Sequence, residues 1–200
     1  NYAAHGGFCS VNMATAGIYT IGGSFWEFGE PDWPLSKYFL MFGVAEDHDS
    51  NPIKAGLSVL KANGAKFVSV NPIKTGYSAV ADEWLGIRPG TDGIFVLALV
   101  HELLKADRID LEYIVRYTNL PWLVIQNPGK EDDGLFARGE DGEPLCWDGT
   151  KDEIASALLA DITPSLSGER VLPDGRKAIP AFELMARRYL DDAYSPEAAA

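Results

Sequence analysis

Short apolar runs alternate with segments of helical spacing along the first part of the chain. Tyr38–Phe42 and Lys66–Val70 are brief and rich in apolar side chains, a pattern typical of strands in a parallel sheet. Between them, apolar side chains recur at roughly helical spacing over residues 52–63. The pattern predicts adjacent parallel strands over 37–43 and 66–71 with the helix crossing between them. We therefore expect an α/β fold with a doubly wound parallel-sheet core.

The same alternation continues further along the chain. Trp84–Arg88 suits another short strand, and Thr91 or Asp92 is placed to cap a helix that runs to about Lys105. A shorter helix is predicted over Leu111–Tyr117. Strands joined by such crossing helices run in the same direction, so their carboxyl ends meet at one edge of the sheet.

Ligands of open parallel sheets bind outside the carboxyl ends of the strands. The loops that leave those ends here are 43–51, 71–80 and 88–92. Geometry alone makes them the candidate binding site. The alternative is that they are ordinary connections, which every α/β domain has.

Composition changes near residue 130. The stretch Gln126–Gly134 is rich in turn formers and charges, and the net charge is −3 over residues 1–130 but −9 over 131–200. We expect an α/β cofactor-binding core over 1–130 and an acidic, loop-rich, irregular extension with helices over 131–200. The elements expected in the extension are a hairpin edge at 143–149, helices at 152–161 and 181–192, and a turn at 174–175.

Charge and composition exclude several classes of function. The net charge of −12 argues against a broad nucleic-acid surface and against binding to anionic lipid, which both need clustered Lys and Arg. Two cysteines cannot form a disulfide framework or a four-cysteine metal site. No apolar run reaches the roughly 18 residues of a membrane span, so no direct membrane insertion is expected. Neither of the common glycine-rich phosphate loops is present.

Few side chains are suited to nucleophilic or metal chemistry. Cys9 lies just before a segment that could be helical, and a cysteine near a helix N-terminus has a favoured thiolate, although an inert buried cysteine is the alternative. His5 has glycines beside it that would admit a ligand, and His48 lies among carboxylates that could bind a cation. Both could equally be ordinary surface residues. His101, in an apolar helical run, and Cys146 are expected to be structural.

The sequence Pro89-Gly-Thr-Asp92 places a carboxylate at a helix N-terminus, where the helix dipole stabilises it. A carboxylate is also the right acceptor for two parallel N–H donors, such as those of a guanine edge. The alternative is that Thr91 or Asp92 is only a helix cap.

Residues 66–93 resemble a known signature. They follow the order of a strand ending V-D-P-R-x-T and then A-x-x-A-D-x-x-L-x-I-R-P-G-T-D, which is found in the molybdopterin oxidoreductases of the dimethyl-sulfoxide-reductase type. Other parts of the chain are similar to that family at Asn1, Cys9, Gly43, Tyr117–Trp122 and Tyr194–Glu197. The resemblance implies a catalytic-subunit fragment that performs two-electron redox or oxygen- or sulfur-atom transfer on a small inorganic substrate. Alone, the fragment is expected to be inactive.

The resemblance also implies a cofactor and its ligands. The cofactor would be bis(molybdopterin guanine dinucleotide) with molybdenum, or tungsten in its place. Cys9 would be the catalytic residue and the metal ligand, and Asp92 would hold the guanine. The residues implied to lie along the cofactor are Gly43, Val44, Ala45, Glu46, Asn71, Pro72, Thr75, Gly90, Thr91 and Asp92.

Some positions depart from the family pattern. Asn71 stands in place of the usual Asp and Ile73 in place of the usual Arg, which puts the nucleotide contacts of that loop in question. Ser10 follows Cys9, whereas formate dehydrogenases of the family have His there. We expect a sulfur oxyanion or polysulfide as substrate. The alternatives are a nitrate reductase, a formate dehydrogenase-like enzyme, or a metal-free binding module on the same scaffold.

The resemblance further implies components that this chain does not carry. A 4Fe-4S cluster would lie in a part that precedes Asn1. Both ends of the chain look cut, so we expect the chain to be a piece of a longer protein. The partners in anaerobic respiration would be an iron–sulfur electron-transfer subunit together with a membrane anchor subunit. These partners would hold the enzyme at the inner membrane, on its cytoplasmic or periplasmic side.

Overall fold

The computed structural model describes residues 11–23, 31–44 and 53–200. The chain divides into two compact units, one up to Pro89 and one from Gly90, and each is described by itself. Its helices and strands are, in order, α1 Asn12–Ile21, β1 Tyr38–Phe42, α2 Ile53–Ala62, β2 Lys66–Val70, α3 Gly76–Val80, β3 Glu83–Leu85, α4 Asp92–Lys105, α5 Leu111–Tyr117, β4 Leu123–Gln126, β5 Leu145–Asp148, β6 Glu153–Ser156, β7 Arg170–Val171, β8 Lys177–Pro180, α6 Ala181–Tyr189, a 3-10 turn Asp192–Tyr194 and α7 Pro196–Ala199. The predicted division into 1–130 and 131–200 stays a prediction about the larger protein.

The first unit is built on a three-stranded parallel sheet in the order β1-β2-β3. Tyr38 pairs with Lys66 and Phe42 with Val70, so β1 and β2 are in register along their whole length. Helix α2 lies between them in the chain, which confirms the predicted strand–helix–strand arrangement. The third strand is found slightly earlier than expected, where Val70 pairs with Leu85.

One face of this sheet forms the core of the first unit. The fully buried residues Leu60 and Phe67 lie at its centre, and Phe39 contacts Phe67 with ring centroids 6.0 Å apart. Each fully buried side chain of this size contributes roughly 1.5–3 kcal/mol of hydrophobic stabilisation. The apolar side chains that recur at helical spacing along α2 therefore pack this crossover helix against the sheet.

Polar side chains fix the connection from β2 to β3. Ser69 and Ser78 place their hydroxyl oxygens 3.3 Å apart, which ties α3 to β2. The carboxylate of Asp82 accepts a hydrogen bond of 2.7 Å from the backbone N–H of Phe67 and one of 3.1 Å from Lys61. The Phe67 N–H and then Lys61 hold the pKa of Asp82 below its usual value. The start of the edge strand β3 is thus held by the ion pair of Asp82 with Lys61 as well as by the backbone hydrogen bonds between β2 and β3.

The second unit combines helices with two antiparallel sheets. One sheet has the order β4-β8-β7, in which Val124 pairs with Ile179, and the other is the β5–β6 hairpin. The core beside the β4-β8-β7 sheet includes Leu123 and Ala178, both fully buried. The predicted turn at Asp174-Gly175 joins β7 to β8, as expected for an Asp-Gly pair.

The helix predicted over 152–161 is wrong. Ile154 and Ala155 instead pair with Trp147 and Cys146 in the β5–β6 hairpin, and turns follow it. Local helical spacing here is overridden by cross-strand pairing, which no local pattern records.

The parallel sheet of the first unit confirms the α/β class, whereas the sheets of the second unit are antiparallel. Within the described residues, no helix combines the length and apolar character that crossing a bilayer requires.

Candidate functional site

The carboxyl ends of the three parallel strands are joined by backbone hydrogen bonds. Gly43 donates to the carbonyl oxygen of Val70 at 3.0 Å, and Asn71 donates to that of Leu85 at 3.1 Å. Gly43 has a φ of 65°, in the left-handed region that glycine adopts at low cost, and this turns the chain sharply out of β1. The loops after β1 and β2 therefore leave the same edge of the sheet, as predicted.

Asn71 lies buried at this edge of the sheet. It is only 4% exposed, and its Oδ1 accepts a long hydrogen bond of 3.4 Å from the backbone N–H of Ile73. Its Nδ2 donor is buried and has no hydrogen-bond partner. A buried donor left unpaired costs about 1–3 kcal/mol of folding stability. This amide can therefore bind a hydrogen-bond acceptor that the described residues do not supply.

The turn from β2 to α3 holds the neighbouring candidates differently. Pro72 is exposed, while the half-buried Thr75 is fixed by its backbone N–H, which donates to Ser78 Oγ at 3.2 Å. The hydroxyl of Tyr77 is also buried without a partner. Val44 is half-buried and packs against the core of the first unit, and the polar groups that it can offer a ligand are those of its backbone.

The remaining described candidates lie in the second unit. Gly90 has a φ of 84°, again a conformation that favours glycine, and α4 begins two residues later at Asp92. Thr91 is the N-cap residue, and its carbonyl oxygen accepts a 3.0 Å hydrogen bond from Phe95. Asp92 is exposed in the first turn, where the helix dipole favours its charge. The predicted helix is confirmed, and the carboxylate is open to a ligand.

Several predicted site residues lie outside the described ones. These are His5, Cys9, Ala45, Glu46 and His48. Their roles stay predictions. Among residues 11–23, 31–44 and 53–200, no group of three or more His, Cys, Asp or Glu side chains is placed to hold a metal ion.

His101 and Cys146 are buried, as expected for structural residues. His101 is 1% exposed, and its Nδ1 lies 2.9 Å from the carbonyl oxygen of Tyr189, which ties α4 to the end of α6. Cys146 is fully buried, and desolvation raises the pKa of its thiol to about 11. A thiol with that pKa is protonated at neutral pH and is a poor nucleophile.

Sequence analysis missed the part played by Trp84. Its indole Nε1 donates to the backbone carbonyl oxygen of Asn71 at 3.0 Å, and the ammonium of Lys74 lies over its ring, 5.1 Å from the centroid. The contact spans more than ten residues of chain. The tryptophan inside the predicted third strand was the only trace of it in the sequence.

Comparisons with known proteins point to oxidoreductases. Over its whole length the chain is 52% identical to a subunit of the sulfite dehydrogenase of Allochromatium vinosum, of which it covers 21%. It is 27% identical to the alpha subunit of perchlorate reductase of Dechloromonas aromatica, over 84% of this chain and 22% of the relative. It is 30% identical to the molybdopterin-containing subunit of thiosulfate reductase of Salmonella typhimurium, over 60% of this chain and 15% of the relative. No family model matches.

These relatives confirm the family that the signature of residues 66–93 resembles. The chain belongs to the molybdopterin oxidoreductases of the dimethyl-sulfoxide-reductase type. It spans about a fifth of the length of the sulfite dehydrogenase and perchlorate reductase subunits. The relatives are named as subunits, so they function beside other chains.

Proposed function

We propose that the whole protein is the catalytic subunit of a molybdenum enzyme that oxidises a sulfur oxyanion, with sulfite as the first candidate. The observation that carries this proposal is the 52% identity, along every part of the chain, to a sulfite dehydrogenase subunit. Oxidation of sulfite with water gives sulfate, two protons and two electrons. A nitrate reductase, a formate dehydrogenase-like enzyme and a metal-free module remain the alternatives to be tested.

The cofactor of the proposal is bis(molybdopterin guanine dinucleotide). Its nucleotide part is rich in hydrogen-bond acceptors, and the buried, unpartnered Nδ2 of Asn71 fits such a ligand. The exposed carboxylate of Asp92 fits the two N–H donors of a guanine edge. The proposed contacts are Gly43, Val44, Ala45, Glu46, Asn71, Pro72, Thr75, Gly90, Thr91 and Asp92.

We propose a doubly wound nucleotide-binding core for the larger protein. The parallel β1-β2-β3 sheet supports it, since strand-end loops of such sheets are where nucleotides bind. Residues 1–130 would form this core and 131–200 an acidic extension. A 4Fe-4S cluster, a membrane anchor and an electron-transfer subunit belong to the same proposal, through the family resemblance.

The residues of this chain would bind, orient and tune the cofactor. Molybdenum supplies two-electron redox chemistry when it is bound. Cys9 would hold the metal as a thiolate, a softer ligand than a serine oxygen. Asn71 would orient the nucleotide from a buried position that excludes water, which strengthens each polar contact.

The test uses the full-length protein and a matched pair of cysteine variants. We expect the wild type to contain molybdenum and to reduce an artificial electron acceptor with sulfite, but not with formate. Cys9→Ala should abolish turnover and keep most of the guanine nucleotide, which is held elsewhere. Cys146→Ala removes a fully buried thiol that has no part in the proposed chemistry, so it should lower only the melting temperature.

Three outcomes would contradict the proposal. A molybdenum-free wild type would favour the binding module. Turnover with formate in place of sulfite, or reduction of nitrate alone, would favour the corresponding enzyme of the same family. Wild-type turnover of Cys9→Ala would remove that residue from the metal site.

A further inference from the structure

Lys74 is held in an unusual position for a lysine in an exposed turn. Its ammonium lies over the ring of Trp84, and no carboxylate in the described parts of the chain forms an ion pair with it. A cation–π contact at an exposed site contributes about 0.5–1 kcal/mol and leaves most of the charge available. The contact therefore fixes where a positive charge stands without neutralising it.

The same indole fixes Asn71. Trp84 Nε1 donates to the Asn71 carbonyl oxygen at 3.0 Å, so the tryptophan joins the lysine to the strand end. Asn71 contributes the buried Nδ2 donor that has no partner. Two hydrogen-bond donors, one charged and one neutral, are thus organised by a single side chain, and neither has an acceptor among the described residues.

Ile73, which lies between Asn71 and Lys74 in the chain, cannot bind an anion through its side chain. Ile73 is 64% exposed and apolar, so it offers neither charge nor hydrogen bond through its side chain. The chain as a whole carries a net charge of −12, which repels an anionic ligand at long range. An anion that binds at this edge of the sheet therefore needs a local cation, and Lys74 is placed to supply it.

We propose that Lys74 is a binding residue for a phosphate group, held in place by Trp84, and that Asn71 binds the adjoining part of the same ligand. The inference rests on the proposed function, because the phosphate is taken to be that of the guanine nucleotide of the cofactor. The ammonium of Lys74 attracts the phosphate by its charge, and its three N–H donors suit the phosphate oxygens. The hydrogen bond from Asn71 Nδ2 orients the ligand.

The experiment measures how fast full-length protein loses guanine nucleotide during dialysis, at low and at high salt. Lys74→Gln should lose it about ten to a hundred times faster than wild type at low salt, because a charge-assisted hydrogen bond is gone. High salt should speed the loss from wild type more than from Lys74→Gln, since screening acts on the charge. The melting temperature without cofactor should not change.

Two variants serve as controls. Lys74→Arg keeps the cation and its contact with the indole, so it should retain nucleotide as wild type does. Lys66→Gln removes an equal charge at the opposite end of β2, where Lys66 pairs with Glu83 at 3.1 Å, and should also behave as wild type. Equal rates for Lys74→Gln and wild type would overturn the inference and leave the proposed function standing. A wild type that holds no guanine nucleotide would overturn both.

Discussion

Replacing Asn71 by alanine should barely change the stability of the cofactor-free protein but should weaken the retention of the cofactor. The variant removes a buried donor whose unpaired state costs about 1–3 kcal/mol when no ligand is present. It also removes the 3.4 Å hydrogen bond from Ile73, worth at most about 1 kcal/mol, and leaves a small void of similar cost. The free energy of unfolding without cofactor should therefore change by less than about 1 kcal/mol. With cofactor, the loss of a buried hydrogen bond should weaken retention by about tenfold or more.

The assay compares two preparations of the full-length protein, one made in cells that cannot synthesise molybdopterin and one made in normal cells. Urea unfolding gives the stability of the first, and guanine nucleotide per polypeptide gives the retention of the second. Asn127→Ala is the matched control, because Asn127 donates its amide N–H to Asp132 at 2.9 Å. That variant should lose about 1–3 kcal/mol of stability and no cofactor.

Either of two results would show that the Asn71 amide does not play this part. If Asn71→Ala destabilises the cofactor-free protein as strongly as Asn127→Ala does, the amide is already satisfied in the folded chain. If Asn71→Ala retains cofactor as wild type does, Asn71 does not contact the nucleotide.

Three further predictions concern a ligand contact, a packing contact and an ion pair. Asp92→Asn should barely change the melting temperature of the cofactor-free protein, because Asn caps a helix about as well as Asp. It should nevertheless lower cofactor retention after gel filtration by about tenfold or more, and full retention would show that Asp92 acts only in the helix. Gly56→Ala should cost about 1–3 kcal/mol in urea unfolding, since a Cβ there would collide with the Trp33 ring, and a gain from helix propensity alone would contradict this packing. Arg176 lowers the pKa of Asp132, so the ion pair stabilises the fold above the ordinary Asp value of 3.8 and is lost as the pH falls through the lower folded pKa. Arg176→Gln should accordingly flatten the acid side of the stability curve, and an unchanged acid dependence would show that the pair contributes nothing.

The sequence predicted the first unit well because its elements are determined locally. The apolar runs at β1 and β2 and the helical spacing of α2 are complete within about 30 residues, so short-range patterns suffice. The strand-end position of Gly43 and Asn71 then followed from the topology of parallel sheets. The start of α4 at Asp92 was likewise readable from its proline, glycine and capping residues.

Features that depend on distant pairing could not be predicted in this way. Segment 152–161 has the composition of a helix, but its first residues pair with β5. Strand β4 pairs with β8 from more than fifty residues away, and its apolar run was not recognised as a strand. The unpaired amide of Asn71 and the position of Lys74 over Trp84 arise only when separate segments of chain are brought together. Such contacts are set by tertiary packing, which a local pattern does not contain.

We propose that this chain forms part of a protein that binds a guanine-containing molybdenum cofactor. The most direct measurement is the molybdenum and guanine nucleotide content of the purified full-length protein, by mass spectrometry of the metal and chromatography of the released nucleotide. We predict about two guanine nucleotides for each metal atom, as the bis form of the cofactor requires. A protein that is folded but contains neither metal nor guanine nucleotide, from cells that load other molybdenum enzymes, would show that it does not bind this cofactor.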